Sequence, residues 1–443
     1  MNRPLEQHSA TVPSGATQAE ELRARWAWTE PSVWTNRMLT ALEAGVKGGQ
    51  WFSLIDKVYT TANLEAAYRK VASNGGAAGV DHQTIARYAE HLETNLENLC
   101  QRLREGSYRP QAVRRVYIPK PGSSDKRPLG IPTVQDRVVQ AAVRHVLEPI
   151  FERDFAEHSY GFRPGRGCKD ALRRVDALLK AGYHYVVDAD LKGYFDTIPH
   201  DKLVHRIREK ISDGKMLTLL ESFLKQGVLD GLCTWTPERG SPQGAVISPL
   251  LSNIYLDPLD HVIAAEGMEM VRYADDFVIL CRSPEEAQRA LARVQAWTAA
   301  AGLTLHPEKT RVVDVREEGF DFLGYHFIRH RRWPRRKSLQ KFKEAIRVKT
   351  HRTNGRSLTA IIADVNRTMR GWFEYFKHGY RPTYPTLDGW IRMRLRCILR
   401  KRAGQRGRGH IADHLRWPNR FFAERGLFSL TTAHALACQS SRR

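Results

Sequence analysis

Val271-Arg272-Tyr273-Ala274-Asp275-Asp276-Phe277-Val278-Ile279-Leu280 joins two apolar, β-prone runs through a bend that carries adjacent carboxylates. Short runs of this kind broken by a polar turn predict strand, turn, strand. Two acids side by side at a turn repel each other, so a positive partner is expected. A solvated acidic turn is the plain alternative. The partner with chemical consequence is a divalent metal, because hard Mg²⁺ is held by one or two carboxylates together with substrate phosphate oxygens.

A second acidic strand end follows from Val186-Val187-Asp188-Ala189-Asp190-Leu191-Lys192-Gly193-Tyr194-Phe195-Asp196. Asp190 ends a buried strand, Tyr185 to Leu191, and precedes Gly193, so its carboxylate can lie beside the hairpin acids. Asp190, Asp275 and Asp276, from two neighbouring strands, could hold two metals about 3.5–4 Å apart, the clamp used for in-line phosphoryl transfer. Asp188 and Asp196 compete for that role. Alternation sends Asp188 to the same face as Asp190, and Asp196 can instead bond local backbone as turn acids do.

The formal net charge of +22 on 443 residues points to a polyanionic partner. Its distribution says more. From His330 onward there are 28 Lys and Arg against 6 Asp and Glu, whereas the preceding 329 residues hold 42 of each. The whole excess lies in the last quarter, as expected of a phosphate-binding module added to a balanced one. The six cysteines are far apart and form no C-x-x-C pair, which argues against a zinc module and a disulfide framework and suits a reducing cytoplasm. No apolar stretch reaches the roughly eighteen residues a membrane span needs, and the first thirty residues do not read as a secretory signal.

Residues 1–49 read as a partly disordered lead-in with one helical stretch near Val33 to Leu42. Trp51 to Leu103 is mostly helical in pattern, broken by a flexible loop over 74–79. Val113 to Pro119 and Arg127 to Pro132, joined by Lys120-Pro121-Gly122-Ser123-Ser124-Asp125, predict a hairpin with a basic tip. Val134 to Phe155 reads as a helix with Val138, Ala142, Val146 and Ile150 on its apolar face. Helices over His200 to Lys210, Met216 to Lys225, Pro249 to Ile263 and Glu285 to Ala301 alternate with the strands above, giving an α+β fold with helices on one face of the sheet. The charge shift at His330-Arg331-Arg332-Trp333-Pro334-Arg335-Arg336-Lys337 marks the expected boundary between a body over 50–329 and a basic helical domain over 330–443.

Taken in order, these segments resemble the group II intron-encoded reverse transcriptase/maturase family over nearly the whole chain. Phe52 to Tyr59 and Gly79-Val80-Asp81 are similar to its N-terminal extension, and Arg127-Pro128-Leu129-Gly130-Ile131-Pro132-Thr133 with Asp136-Arg137-Val138-Val139-Gln140 to its first fingers block. Tyr160-Gly161-Phe162-Arg163-Pro164-Gly165-Arg166-Gly167 resembles the second. Asp190 to Asp196 resembles the first catalytic block, and Gly240-Ser241-Pro242-Gln243-Gly244 the next. Tyr273 to Asp276, Gly302 to Thr310 and Phe322-Leu323-Gly324-Tyr325 complete the set.

The resemblance implies a right-hand polymerase with fingers and an antiparallel palm sheet, followed by an α-helical thumb/maturase domain. It implies that Asp190, Asp275 and Asp276 bind two Mg²⁺, with Mn²⁺ a possible substitute. Phe195 matches the aromatic that excludes a ribose 2′-OH, and its plain alternative is a core aromatic. Gln243 matches the residue that contacts the incoming nucleotide. Lys120 and Arg127 match cations that meet the triphosphate, against the alternative of a solvated turn. Lys309 matches a lysine that protonates the leaving pyrophosphate, against that of an ordinary surface lysine.

Near the C-terminus, Ile361, Val365, Met369, Trp372 and Phe376 recur at helical spacing, and so do Ile391, Leu395, Ile398 and Leu399. Arg392, Arg396 and Arg400 form an adjacent line that could straddle successive phosphates of RNA. These stripes resemble the family's thumb and maturase helices. No endonuclease with paired C-x-x-C follows, which resembles the endonuclease-lacking, class C-like bacterial members and implies priming independent of a second-strand cut. His82 stands where relatives commonly have Gly.

The implied function is an RNA-directed DNA polymerase encoded by a group II intron. It would copy intron RNA into DNA during retrohoming and assist splicing as a maturase. Its expected partners are intron RNA, an RNA template with a DNA primer, dNTPs and target DNA, in a bacterial cytoplasm and at the nucleoid during insertion. Two rivals stand beside it: a reverse transcriptase recruited to host defence without an intron, and an RNA-binding splicing factor whose polymerase is vestigial.

Overall fold

The computed structural model describes residues 18–119, 126–329, 331–405 and 411–440. The strands are β1 (Val113–Pro119), β2 (Lys126–Ile131), β3 (Tyr185–Asp190), β4 (Val228–Asp230), β5 (Cys233–Trp235) and β6 (Glu269–Tyr273). They continue with β7 (Asp276–Cys281), β8 (Arg311–Asp314), β9 (Phe320–Phe322), β10 (Tyr325–Ile328) and β11 (Arg331–Pro334). Three sheets result, ordered β2-β1-β4-β5, β6-β7-β3-β8 and β11-β10-β9. The chain divides into two compact units, 1–177 with 189–312 and 178–188 with 313–443, the boundary passing through β3 and β8.

In the first unit the helix Val134–Glu152 is buried on nearly every side, its polar Asp136, Arg137, Gln140 and Glu148 included. Thr133 caps its start by accepting from the Asp136 amide at 3.1 Å. The helix Thr61–Asn74 packs along it, and the buried Asn63 donates to the Ala142 carbonyl at 3.2 Å. Within the N-terminal stretch, helices Gln18–Arg25 and Asn36–Ala44 pack together, and Trp26, Leu39 and Leu42 are buried. The indole of the fully buried Trp34 donates to the His145 carbonyl at 2.8 Å.

The expected hairpin is present, β1 pairing antiparallel with β2 from Arg114↔Ile131 to Pro119↔Lys126. Its tip, including Lys120, lies outside the described residues. On its other side β1 runs parallel to β4. In the acid-bearing sheet β7 is buried almost throughout, with the helix Ser248–Ala265 packed against β6 and the helix Pro284–Ala300 against β7. Burial on both faces explains why Phe277-Val278-Ile279-Leu280-Cys281 runs apolar without alternation. His82 has φ 54, the left-handed region that glycine occupies without penalty.

The second unit holds the meander β9-β10-β11 and then helices Arg336–Lys349, Leu358–Phe376, Thr383–Arg402, Ile411–Arg416, Asn419–Glu424 and Leu430–Ser440. The charged run expected to mark a boundary contributes Arg331–Pro334 as a paired strand, in register Tyr325↔Pro334 to Ile328↔Arg331. Aromatic neighbours make this possible. Arg331 lies 4.7 Å above the Tyr380 ring and Arg332 5.6 Å above Tyr325, so the cations rest on π faces. The helical core gathers Phe342, Ile361, Val365, Met369, Tyr384 and Ile391 among others. Asp388 is buried and accepts from the amides of Leu430 and Thr431, both at 3.0 Å, fastening the start of the last helix. Among the described residues no helix is long and apolar enough to cross a membrane, and no cysteine is disulfide-bonded.

Candidate active site

β6 and β7 pair from Glu269↔Leu280 to Tyr273↔Asp276, leaving Ala274 and Asp275 as a two-residue connection. Ala274 has φ 59, where tight hairpins normally place glycine. That conformation costs about 1–2 kcal/mol for an L residue, so neighbours must hold it. Arg272, 0% exposed, does much of this. Its Nη1 donates to the Ala274 carbonyl at 2.9 Å and to Asn253 Oδ1 at 3.0 Å. Its Nε donates to both carboxylate oxygens of Asp260, at 2.8 and 2.9 Å. Burial by itself would lower the Arg272 pKa, but Asp260 reverses the shift and holds it above the ordinary value.

A second strap comes from Tyr160-Gly161-Phe162. The Tyr160 amide donates to the Arg272 carbonyl at 2.8 Å, and Asn253 Nδ2 donates to the Gly161 carbonyl at 2.8 Å. A Cβ at Gly161 would stand 2.2 Å from the Ala274 nitrogen. Only glycine fits there. Burial, reinforced by Cys168, pushes the Tyr273 hydroxyl up to about 12.

Asp190 ends β3, and its carbonyl accepts from the His306 amide at 2.7 Å. The Lys192 amide donates to the Thr304 carbonyl at 2.8 Å. These bonds tie residues 304–306 to the strand end and bring Lys309 Nζ to 2.7 Å from Asp190 Oδ2. Burial raises the Asp275 carboxyl above its ordinary range; Asp190 adds to the rise, while Arg127 and Arg272 oppose it. Asp190, Asp275 and Arg127 therefore lie within electrostatic reach of one another. Asp276 is half-buried at the first position of β7.

Among the described residues no three His, Cys, Asp or Glu side chains form a ready-made metal cage. Instead the Lys309 ammonium is the cation on Asp190, and Asp275 beside it is disfavoured as an anion by burial and by Asp190, which Arg127 and Arg272 offset in part. Hard carboxylate oxygens in that state fit a hard divalent ion.

Phe195 lies on the short helix Tyr194–Thr197. Tyr194 is buried, donates its hydroxyl to the Ser252 carbonyl at 2.8 Å and meets the Phe195 ring edge-on at 5.4 Å. The Phe195 carbonyl accepts from the Ser241 amide at 2.7 Å, and the Gln243 carbonyl accepts from the Gly130 amide at 2.7 Å. Phe195 and Gln243 thereby line one cleft of about 280 Å³. Arg127 is exposed on β2.

The three C-terminal arginines do not form the exposed line expected of them. Arg396 is 2% exposed, donating to the Trp417 carbonyl and to Asn419 Oδ1, both at 2.9 Å. Arg400 is paired with the buried Asp413 at 2.9 Å. Arg392 is half-buried, and its Nε has no hydrogen-bond partner among the described residues. A four-residue spacing fixes a shared helix face but not whether another helix covers it, and here the segment after residue 411 covers two of the three.

Sequence reading missed Arg272, Asp260 and Asn253 as the support of the acidic turn. The signal was available in Val271-Arg272-Tyr273, where a lone cation interrupts a strand that must be buried. Such a residue requires a buried acid, though not one identifiable from sequence.

Residues 118–327 match the family model of the reverse transcriptase (RNA-dependent DNA polymerase), and residues 339–417 that of the group II intron maturase-specific domain. The chain is 34% identical over 349 residues to protein YkfC of Escherichia coli K12, covering 70% of this chain and 87% of that protein. It is 41% identical over 208 residues to the group II intron-encoded protein LtrA of Lactococcus lactis subsp. cremoris, covering 46% of this chain and 34% of LtrA. The match thus spans most of YkfC but about a third of LtrA. A chain of a partial Cas6-RT-Cas1–Cas2 complex is similar over 56% of this chain and 41% of that one, at 25% identity and a TM-score of 0.37. A reverse transcriptase domain depends on divalent metal, and the two matched domains together bind intron RNA and nucleic-acid substrates. Polymerase and maturase domains in this order, on an α+β body with a helical C-terminal region, make the chain a member of the group II intron-encoded reverse transcriptase/maturase family, an RNA-directed DNA polymerase.

Proposed function

We propose that this polymerase copies its parent group II intron RNA into DNA during retrohoming and assists the splicing of that RNA. In this reading residues 50–329 are the fingers and palm, residues 330–443 a basic thumb and maturase domain, and residues 1–49 a lead-in. The observation that carries the proposal is the acidic cluster. Asp275 is raised in pKa by burial and by Asp190, and sits in a turn whose strained Ala274 is held by Arg272. Strain and repulsion kept in place by dedicated neighbours mark a functional site.

Asp190, Asp275 and Asp276 would hold two Mg²⁺, or Mn²⁺ in substitution. When bound, such ions favour a nucleophilic 3′-hydroxyl and neutralise phosphate charge. The protein's own groups supply the rest. Phe195 excludes a 2′-hydroxyl by its bulk, and Gln243 contacts the incoming nucleotide. Arg127 and Lys120 meet its triphosphate. Lys309, an ammonium already on the carboxylate cluster, gives its proton to the leaving pyrophosphate. The substrates are an RNA template with a DNA primer, dNTPs and target DNA. Arg392 and the exposed cations around it grip intron RNA through phosphate contacts, with A-form shape and 2′-OH contacts adding to recognition.

Primer extension on an RNA template with Mg²⁺, comparing wild type with Asp275→Ala, tests the reading. Synthesis is expected to be lost while RNA binding stays. Equal extension by both proteins would sink the active-site assignment.

A further inference from the structure

Away from the acidic turn, the first unit carries a pocket of about 330 Å³ where the end of the helix Leu92–Glu105 meets the start of the helix Gly214–Leu224. Its floor is apolar, made by the buried Leu103, Tyr108 and Leu219. Two glycines on its wall keep it open. A Cβ on Gly106 or on Gly214 would meet no atom within 4 Å. Size and lining are those of a small-molecule site, mostly apolar with a few placed polar groups.

The charged groups here are of one sign. Arg109 and Lys215 line the pocket, both exposed, and no carboxylate does. Arg109 Nη1 donates to the Gly106 and Tyr108 carbonyls, both at 2.7 Å, which turns the guanidinium along the wall without neutralising it. Asp213, the acid nearest Lys215 in sequence, is buried and accepts from the amides of Leu54, Ile55 and Met216 at 2.7, 2.9 and 3.0 Å. The Thr218 and Ser222 hydroxyls donate to the Gly214 and Leu219 carbonyls, so the donors left for a ligand are cationic. An apolar floor beside two cations is complementary to an apolar body that carries one negative group.

The floor also reaches the sheet β2-β1-β4-β5. The Tyr108 hydroxyl donates to Asp136 Oδ1 at 2.5 Å. Asp136 Oδ2 accepts from the Gln111 amide at 3.1 Å and from Gln226 Nε2 at 3.3 Å. Gln111 and Gln226 each stand two residues before a strand, β1 and β4, and those strands pair. A ligand held against Tyr108 therefore bears on the roots of both. We propose that this pocket binds a small amphipathic anion, an aromatic or branched apolar body with one acidic group, and that binding steadies the roots of β1 and β4.

Two fluorescent probes titrated into the full chain test it. One is anilinonaphthalene sulfonate, an aromatic anion that brightens in apolar surroundings; the other is phenylnaphthylamine, the same rings without the sulfonate. Wild type should show a saturable class of sulfonate sites, tighter than for the uncharged probe. Gly214→Phe should remove that class, because its ring fills the pocket from a backbone that is not left-handed. A melting temperature at or above wild type shows that this variant is folded, since glycine is the poorer helix former. Lys215→Gln should weaken the sulfonate by about two- to fivefold, the range of one exposed ion pair, and leave the uncharged probe unchanged. The Val113 amide donates to the Gly227 carbonyl at 2.8 Å between the two strand roots. Its hydrogen exchange should slow with the sulfonate in wild type and not in Gly214→Phe. Sulfonate binding that survives Gly214→Phe, or equal affinity for the two probes, overturns the site. So does a signal that falls with rising protein concentration as the mass doubles, which would give the pocket to a second copy. Binding with unchanged exchange at Val113 overturns the link to the strands.

Discussion

Arg272 and Arg396 are both buried cations in a basic chain, 0% and 2% exposed, yet they do opposite things electrically. Arg272 is matched by a buried carboxylate, and Asp260 holds its pKa above the ordinary value against the effect of burial. Arg396 is met by a carbonyl and an amide oxygen, so burial lowers its pKa; Arg392 adds to the fall and Asp413 opposes it. The first is a neutralised clamp with one N–H directed at the strained turn. The second is a weakly compensated charge that ties helices together. A buried arginine therefore does not reveal its role until its partners are known.

The largest effect expected is at the turn itself. Asp275→Asn should reduce synthesis by on the order of 10³-fold or more, measured by single-turnover extension. It should also raise the thermal midpoint at neutral pH. Burial lifts the folded pKa of Asp275 above its unfolded value, so the folded state binds that proton more tightly. Ionised Asp275 thus opposes folding above the folded pKa, and the penalty vanishes below the unfolded one. The gain from Asn should fade as pH falls into the acid range. A gain that persists there would mean that Asp275 is not the source.

Next is the clamp. Arg272→Met leaves Asp260 buried and unpaired, which should destabilise by about 3–5 kcal/mol in urea unfolding. Arg272→Met with Asp260→Leu should recover most of that stability. Synthesis should stay low, because the Ala274 carbonyl has lost its donor. Recovery of both would show that Arg272 acts through stability alone. The corresponding change in the helical region, Arg396→Met, removes a charge without stranding a carboxylate bonded to it. Its expected cost is about 1 kcal/mol, with no change in the salt dependence of intron RNA binding. Arg392→Gln should instead flatten that salt slope by about one unit, one phosphate contact. Equal slopes for all three proteins would remove Arg392 from the RNA surface.

The same contrast explains what was legible in the sequence. Val271 to Leu280 announced its hairpin because apolar runs around a polar bend allow few other structures, and β6 and β7 follow that pattern closely. Asp190 was placed at a strand end by the buried run before it. What could not be read was tertiary choice. Asp260 lies on the helix just before β6, twelve residues from Arg272, but no periodicity in the sequence singles it out as the partner. Arg396 and Arg400 look like surface residues until Trp417, Asn419 and Asp413 close over them. Arg331–Pro334 looks like a charged linker until Tyr380 and Tyr325 supply ring faces. Periodicity reports which residues share a face, and only the fold decides what covers it.

The smallest effect separates strain that serves a site from strain that does not. Ala274 and His82 both have left-handed backbone, φ 59 and φ 54. Ala274 is held by a buried arginine and a close-packed glycine. At His82 the backbone is held by its own amide, which donates to the Gly79 carbonyl at 3.4 Å, and by the next amide, Gln83, which donates to Asp81 Oδ1 at 3.1 Å. Glycine adopts this conformation without the Cβ penalty. His82→Gly should therefore raise stability by up to about 1 kcal/mol and leave synthesis unchanged. Ala274→Gly relieves similar strain but loosens the turn that carries Asp275, so a similar gain in stability should come with slower extension. If both variants gained stability and kept full rate, the strain at Ala274 would have no part in positioning the carboxylates.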